Sequence, residues 1–190
     1  METEAISKTV LIERDGPIVT VVLNRPEKLN AINKATWIAL GDAIDELETD
    51  DDVRCIVLRG AGDKAFSPGA DISEFETERA NRDKARAYNS TVENTIDALG
   101  NCRHPTLALI KGICIGGGLE AAAFCDMRIC GQSSTLELTK RSEWAWLTAS
   151  LLTTKLRLNV MPQHSVSLKA LRLPHDFTSR HSGVSLNRHH

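Results

Sequence analysis

The run Gly112-Ile113-Cys114-Ile115-Gly116-Gly117-Gly118-Leu119-Glu120 limits what this chain can fold into more than any other stretch. It is entered from an apolar segment, Leu107-Ala108-Leu109-Ile110, and left through Ala121-Ala122-Ala123-Phe124. That order predicts a strand, a tight glycine turn and a helix over 119–124. Consecutive glycines let the backbone approach another group closely and leave amide N–H groups unobstructed. A helix starting just after them adds the positive end of its dipole, so the turn suits an oxygen that becomes negative. Glu120 falls on the first helical turn. There a carboxylate either complements the dipole or moves a proton. A phosphate cradle is the weaker reading, because neither the P-loop nor the dinucleotide-binding glycine spacing is present.

The rest of the chain reads as alternating strands and helices. The stretch from Val10 to Leu23 is two β-rich runs around Asp15-Gly16-Pro17, which predicts a hairpin. A polar loop, Asn24 to Asn30, precedes a helix from about Asn33 to Glu48, with Ile38, Leu40, Ile44 and Leu47 as its apolar positions. Residues 54–60 read as a short strand buried on both faces. Residues 73–86 are highly charged and predict a solvated helix; residues 88–100 predict a second helix with Val92, Ile96 and Leu99 as its stripe. Strands are expected at 106–110 and at Met127-Arg128-Ile129-Cys130. Repeated β-then-α units argue for an α/β layered fold.

Two loops follow strands and offer N–H groups beside glycine: Ser67-Pro68-Gly69-Ala70-Asp71 and Gly116-Gly117-Gly118-Leu119-Glu120. If those strands are neighbours, one N–H from each loop can point at a single oxygen. That arrangement is an oxyanion hole, and a thioester carbonyl turning into an enolate would profit most from it.

Charge is unevenly spread. Residues 1–140 carry 16 Lys+Arg and 23 Asp+Glu, net −7, while residues 141–190 carry 7 and 2, net +5, together with five of the six histidines. The overall net charge of −2 gives no argument for nucleic acid. No apolar run approaches the ~18–20 residues a membrane helix needs. The five cysteines show neither CxxC nor zinc spacing. Their odd number and the acidic start Met1-Glu2-Thr3-Glu4 point to reduced thiols and a cytoplasmic setting, with no metal.

Four ordered motifs carry a resemblance: Leu23-Asn24-Arg25-Pro26-Glu27-Lys28-Leu29-Asn30-Ala31, Ala65-Phe66-Ser67-Pro68-Gly69-Ala70-Asp71-Ile72, the Gly112–Glu120 run, and Cys125-Asp126-Met127-Arg128-Ile129. Over residues 8–135 the chain resembles the enoyl-CoA hydratase/isomerase (crotonase) superfamily. The resemblance implies a spiral of ββα units that binds an acyl-CoA thioester, with coenzyme A as part of the substrate and no separate cofactor, and a homo-trimer or hexamer. It implies an oxyanion hole from the N–H groups of Ala70 and Gly117, and Glu120 as a catalytic carboxylate. It also implies contacts to coenzyme A from Lys28, Leu29 and Ala31, with Ala70, Asp71, Ile72, Gly116 and Gly117.

The resemblance stops near residue 135. In hydratases a second glutamate follows the first by twenty residues, in a Phe-Gly-x-Pro-Glu motif; that position is Lys140 here. The domain reading is therefore a crotonase-like domain over 1–135 and an atypical tail over 136–190, so that the fold is C-terminally truncated or altered. One coding hypothesis accounts for the tail. Phe-Gly written TTC-GGA becomes TTG-GA on loss of one C, which begins Leu-Glu, the residues at 136–137. Sequencing the encoding DNA tests it, and a segment with no Phe-Gly frame would sink it. The missing glutamate motivates an alternative function, an inactive acyl-CoA-binding or oligomerising module.

Overall fold

In the computed structural model, residues 2–131, 133–137 and 158–160 are described. The atypical tail lies outside the described residues except for 136–137 and 158–160, and Lys140 lies outside them.

The predicted hairpin is present as β2 (Val10–Asp15) and β3 (Ile18–Leu23), paired antiparallel with Asp15 opposite Ile18. An additional strand, β1 (Glu2–Ala5), pairs antiparallel with β2. The next strand is β4 (Cys55–Gly60), parallel to β3. It alternates between buried and half-buried residues rather than being buried on both faces, because Arg59 on its outer side pairs with Glu13 of β2.

From β4 onward the chain repeats a unit of a longer strand followed by a short one. The longer strands are β4, β6 (Thr106–Ile110) and β8 (Met127–Cys130); the short ones are β5 (Ala65–Ser67), β7 (Ile113–Ile115) and β9 (Thr135–Glu137). Longer strands pair parallel with one another, and so do the short ones. The result is a seven-stranded sheet, β1-β2-β3-β4-β6-β8-β10, where β10 is Leu158–Val160, beside a three-stranded sheet, β5-β7-β9. Helices leave the short strands: α2 (Phe75–Glu78) and α3 (Arg82–Asn101) after β5, and α4 (Gly117–Phe124) after β7. This is the α/β spiral of ββα units that the motifs imply.

Helix α1 (Lys34–Glu48) begins where Asn33 caps it, its Oδ1 accepting from the Thr36 N–H at 2.9 Å. Its inward stripe is Trp37, Leu40, Ile44 and Leu47, spaced by three and four residues. Ile38, counted among the apolar positions from sequence, is instead 46% exposed, one residue around the helix from Trp37. The charged stretch 73–86 is not one helix. A 3-10 turn and the short α2 end at Arg79, and α3 starts at Arg82 under an Asn81 cap, six residues before the expected 88. Ile96 and Leu99 are buried as expected, and Tyr88 and Thr95 join them. Among the described residues no helix is long and apolar enough to cross a membrane.

Candidate active site

The two glycine loops meet because β5 and β7 are parallel neighbours, so both chains leave the small sheet at the same edge. The Ala70 loop is an extended segment bridged to Ile32. The Ile32 N–H donates to the Gly69 carbonyl at 2.8 Å, and the Asp71 N–H donates to the Ile32 carbonyl at 3.0 Å. Successive peptide groups of extended chain point to opposite sides, so the Ala70 N–H between them is directed away from Ile32.

It faces the start of α4. A Cβ on Gly117 would stand 3.9 Å from the Ala70 nitrogen, and a Cβ on Gly69 would stand 3.1 Å from the Gly117 nitrogen. Gly117 is the first residue of α4, where an N–H has no intrahelical acceptor. Among the described residues neither the Ala70 nor the Gly117 N–H has a backbone acceptor. The two amide nitrogens thus lie close together where the loops meet, one of them at the positive end of a helix.

Local chemistry fixes each loop. Gly116 turns the chain from β7 into α4 at φ 52° and ψ −125°, a conformation that suits glycine. Gly118 lets α4 lie directly on β5, since a Cβ there would come within 2.7 Å of the Ser67 Cβ and carbonyl oxygen. At the other end of α4, the buried Arg128 guanidinium donates to the carbonyls of Ala122 (3.1 Å) and Ala123 (2.9 Å) and to that of Cys125 (2.5 Å). A cation there complements the negative end of the helix dipole. Helix α4 therefore starts at 117, two residues earlier than its expected start, and brings Glu120 onto its first turn, half-buried.

The Ala70 loop is held by charge. Arg25 pairs with Asp71 at 2.8 Å, and its other nitrogen donates to the Ala31 carbonyl at 2.7 Å. Asp71 also accepts from the Ser73 hydroxyl at 2.7 Å and the Ser73 N–H at 3.1 Å. The Ser73 hydroxyl and the Arg25 guanidinium lower the Asp71 carboxyl to about 2, against the opposing effect of its burial.

The residues expected around coenzyme A fall into three groups. Lys28, Leu29 and Ile72 are exposed, with Leu29 in the left-handed conformation at φ 54° and Ile72 76% exposed. Ala31 and Asp71 are buried in the hydrogen-bonded joint between the two loops. Gly116, Gly117 and Ala70 line the junction itself. The neighbouring thiols are poor nucleophiles: burial raises Cys114 and pushes Cys125 up to about 12.

Sequence reasoning missed three residues that build this site. Arg25 lies within the first of the four motifs, but its partner Asp71 is 46 residues away, a pairing no local pattern reveals. Arg128 carries no sequence signal beyond its place in the strand at 127–130. Trp37, which lies against Gly117, could have been found by shifting the α1 stripe one residue.

The comparisons with known proteins converge on the same region. The family model for enoyl-CoA hydratase/isomerase matches residues 13–142. The short-chain-enoyl-CoA hydratase of Clostridium acetobutylicum is 35% identical over 125 residues, covering 66% of this chain and 47% of that protein. The mitochondrial Delta(3,5)-Delta(2,4)-dienoyl-CoA isomerase of Mus musculus is 35% identical over 130 residues, 64% of this chain and 39% of that protein. Among solved structures, an enoyl-CoA hydratase/carnithine racemase from Magnetospirillum magneticum superposes with a TM-score of 0.72 at 35% identity, covering 79% of this chain and 60% of that one. The chain spans about half the length or less of these two curated relatives. With the motifs, the ββα spiral and a family match over more than half of its residues in agreement, the chain belongs to the enoyl-CoA hydratase/isomerase family.

Proposed function

We propose that the junction between Ala70 and Gly117 binds the carbonyl oxygen of an acyl-CoA thioester and stabilises the enolate formed when a proton moves at the adjacent carbon. What supports this reading is the proximity of the Ala70 and Gly117 amides from separate loops, with a carboxyl on the first turn of the helix that begins at Gly117. As the carbon loses its proton, the electron pair spreads onto the carbonyl oxygen. Donors already in place strengthen their hydrogen bonds as that oxygen gains charge, and losing one typically costs ~10²–10³ in rate. Glu120 takes or returns the proton at the α- or β-carbon. The reaction is of the hydratase/isomerase type, hydration of an enoyl thioester or migration of its double bond.

Coenzyme A belongs to the substrate in this reading, and no separate cofactor is needed. Lys28 offers a cation to its phosphates, while Leu29 and Ile72 offer exposed apolar surface to adenine and pantetheine. Ala31 and Asp71 act from behind, holding the two loops together. Five free thiols suit a reducing, cytoplasmic setting.

Crotonyl-CoA hydration, followed as loss of the conjugated thioester absorbance, tests the assignment. Glu120→Gln is expected to lower the rate by ~10²-fold or more. Equal rates in both proteins would remove Glu120 from the mechanism. A second reading, acyl-CoA binding without turnover, is favoured by Lys140 standing where hydratases carry their second glutamate. Tight binding with no turnover in either protein would select it.

A further inference from the structure

Behind the two amides lies a residue that neither the motifs nor the proposed chemistry uses. A Cβ on Gly117 would stand 3.0 Å from Trp37 Cζ2 and 3.8 Å from Cη2, as well as 3.9 Å from the Ala70 nitrogen. The edge of the indole, the Gly117 Cα and the Ala70 amide therefore bound one small space. Trp37 is 1% exposed, so its ring is part of the wall and cannot swing into solvent.

The backbone that carries the ring is held from α3. The Thr95 hydroxyl donates to the Trp37 carbonyl at 2.9 Å, and Gly41, one turn along α1, lets α3 approach so closely that a Cβ there would lie 3.2 Å from that hydroxyl oxygen. On its other side the indole N–H approaches the Tyr88 hydroxyl without reaching hydrogen-bond geometry. Tyr88 in turn lies under Arg79, whose guanidinium stacks 4.8 Å from that ring and 4.3 Å from Phe75. A packed train of rings thus runs from the segment after the Ala70 loop to the start of α4.

We propose that Trp37 is a positioning residue for the thioester carbonyl: its indole edge sets how Gly117 stands relative to Ala70, and so the aim of both N–H groups at one oxygen. This rests on the oxyanion reading above. The physical reason is that a pair of donors polarises a carbonyl only when both are aimed at the same atom, and small misplacements are costly. Trp37 acts through backbone placement and touches no reacting atom in this reading. Most of the affinity for an acyl-CoA comes from the long coenzyme portion, so misaimed donors should change polarisation far more than binding.

The test uses the full chain and a cinnamoyl-CoA thioester with an electron-donating para substituent. Its absorption moves to longer wavelength as its carbonyl is polarised, so the readout does not require turnover. In the wild type a red shift on binding is expected. Trp37→Leu should keep less than half of that shift while moving Kd by no more than about threefold. Gly117→Ala should also lose the shift, because its methyl meets the indole. The double variant Gly117→Ala/Trp37→Leu should recover part of it, because the methyl then occupies the vacated space. Trp37→Phe, closer in size and still aromatic, guards against misfolding and should keep an intermediate shift. A full shift in a folded Trp37→Leu or Trp37→Phe protein would overturn the role of Trp37 alone, as would losses that simply add in the double variant. Binding without any shift in the wild type would overturn the oxyanion reading and this inference together.

Discussion

Ala70 and Gly117 present the same group, a peptide N–H, yet the two loops are held in place by different forces. The Ala70 loop is fixed by ionised side chains: Arg25 reaches Asp71 and the Ala31 carbonyl, and Asp71 reaches Ser73. The Gly117 loop is fixed by contact. Glycines at 117 and 118 fit against Trp37 and Ser67, and Arg128 gathers the carbonyls at the far end of α4. One half of the junction therefore depends on a carboxylate that can be protonated. The other depends on shape and on a guanidinium that stays charged over the useful pH range. The halves should fail under different conditions.

The largest effect is expected at Arg128. Helix α4 has eight residues, too few to persist without its surroundings. Arg128→Met keeps the volume but leaves the carbonyls of Ala122, Ala123 and Cys125 without their donor in a buried setting. The cost should be about 3 kcal/mol, measured by urea denaturation, and equal at pH 7 and pH 4. A loss under about 1 kcal/mol would mean that packing alone holds α4.

Much of this arrangement was legible in the sequence. The hairpin announced itself through Asp15-Gly16-Pro17 between β-rich runs, and α1 through the near-helical spacing of Leu40, Ile44 and Leu47. The two loops are legible because a pair of glycine turns, each following a strand, offers N–H groups that could meet, although either turn alone is unspecific. What escaped detection had no periodic signal. Glu2–Ala5 is exposed throughout and joins the sheet by backbone bonds alone. Strands β5 and β7 have three residues each, too short to show alternation. The first turns of α3 are charged and exposed, so only the Asn81 cap marks their start. The Arg25–Asp71 pair bridges two separate motifs, and which motifs touch is decided by the parallel pairing of β5 with β7.

Asp71 is where the charge-held half should give way. Its carboxyl titrates at about 2 in the folded protein, against an ordinary value of 3.8. On acidification the unfolded chain takes up this proton first. The stabilisation is complete well above pH 3.8, shrinks between 3.8 and about 2, and is gone below. Its size at neutral pH is about 2 kcal/mol. Asp71→Asn should remove that amount at pH 7 and flatten the dependence of stability on pH below 4, whereas Arg128→Met should leave that slope unchanged. An unaltered acid limb in Asp71→Asn would show that other carboxylates govern it and would erase the proposed difference between the loops.

The smallest effect separates burial from mere proximity. Lys111 and Asp63 approach to 2.6 Å, closer than the 2.8 Å of Arg25 and Asp71, yet their side chains are 55% and 82% exposed against 13% and 7%. The exposed pair is screened by water and salt, and the long lysine side chain loses freedom to form it. Lys111→Ala should therefore leave the urea midpoint unchanged at low and high salt. Lys111 nevertheless precedes Gly112, at the entry to the glycine run that leads to the Gly117 loop. If its removal shifted the midpoint as far as Asp71→Asn does, ion pairing at the surface would hold the Gly117 loop too, and the contrast between a charge-held and a contact-held half would collapse.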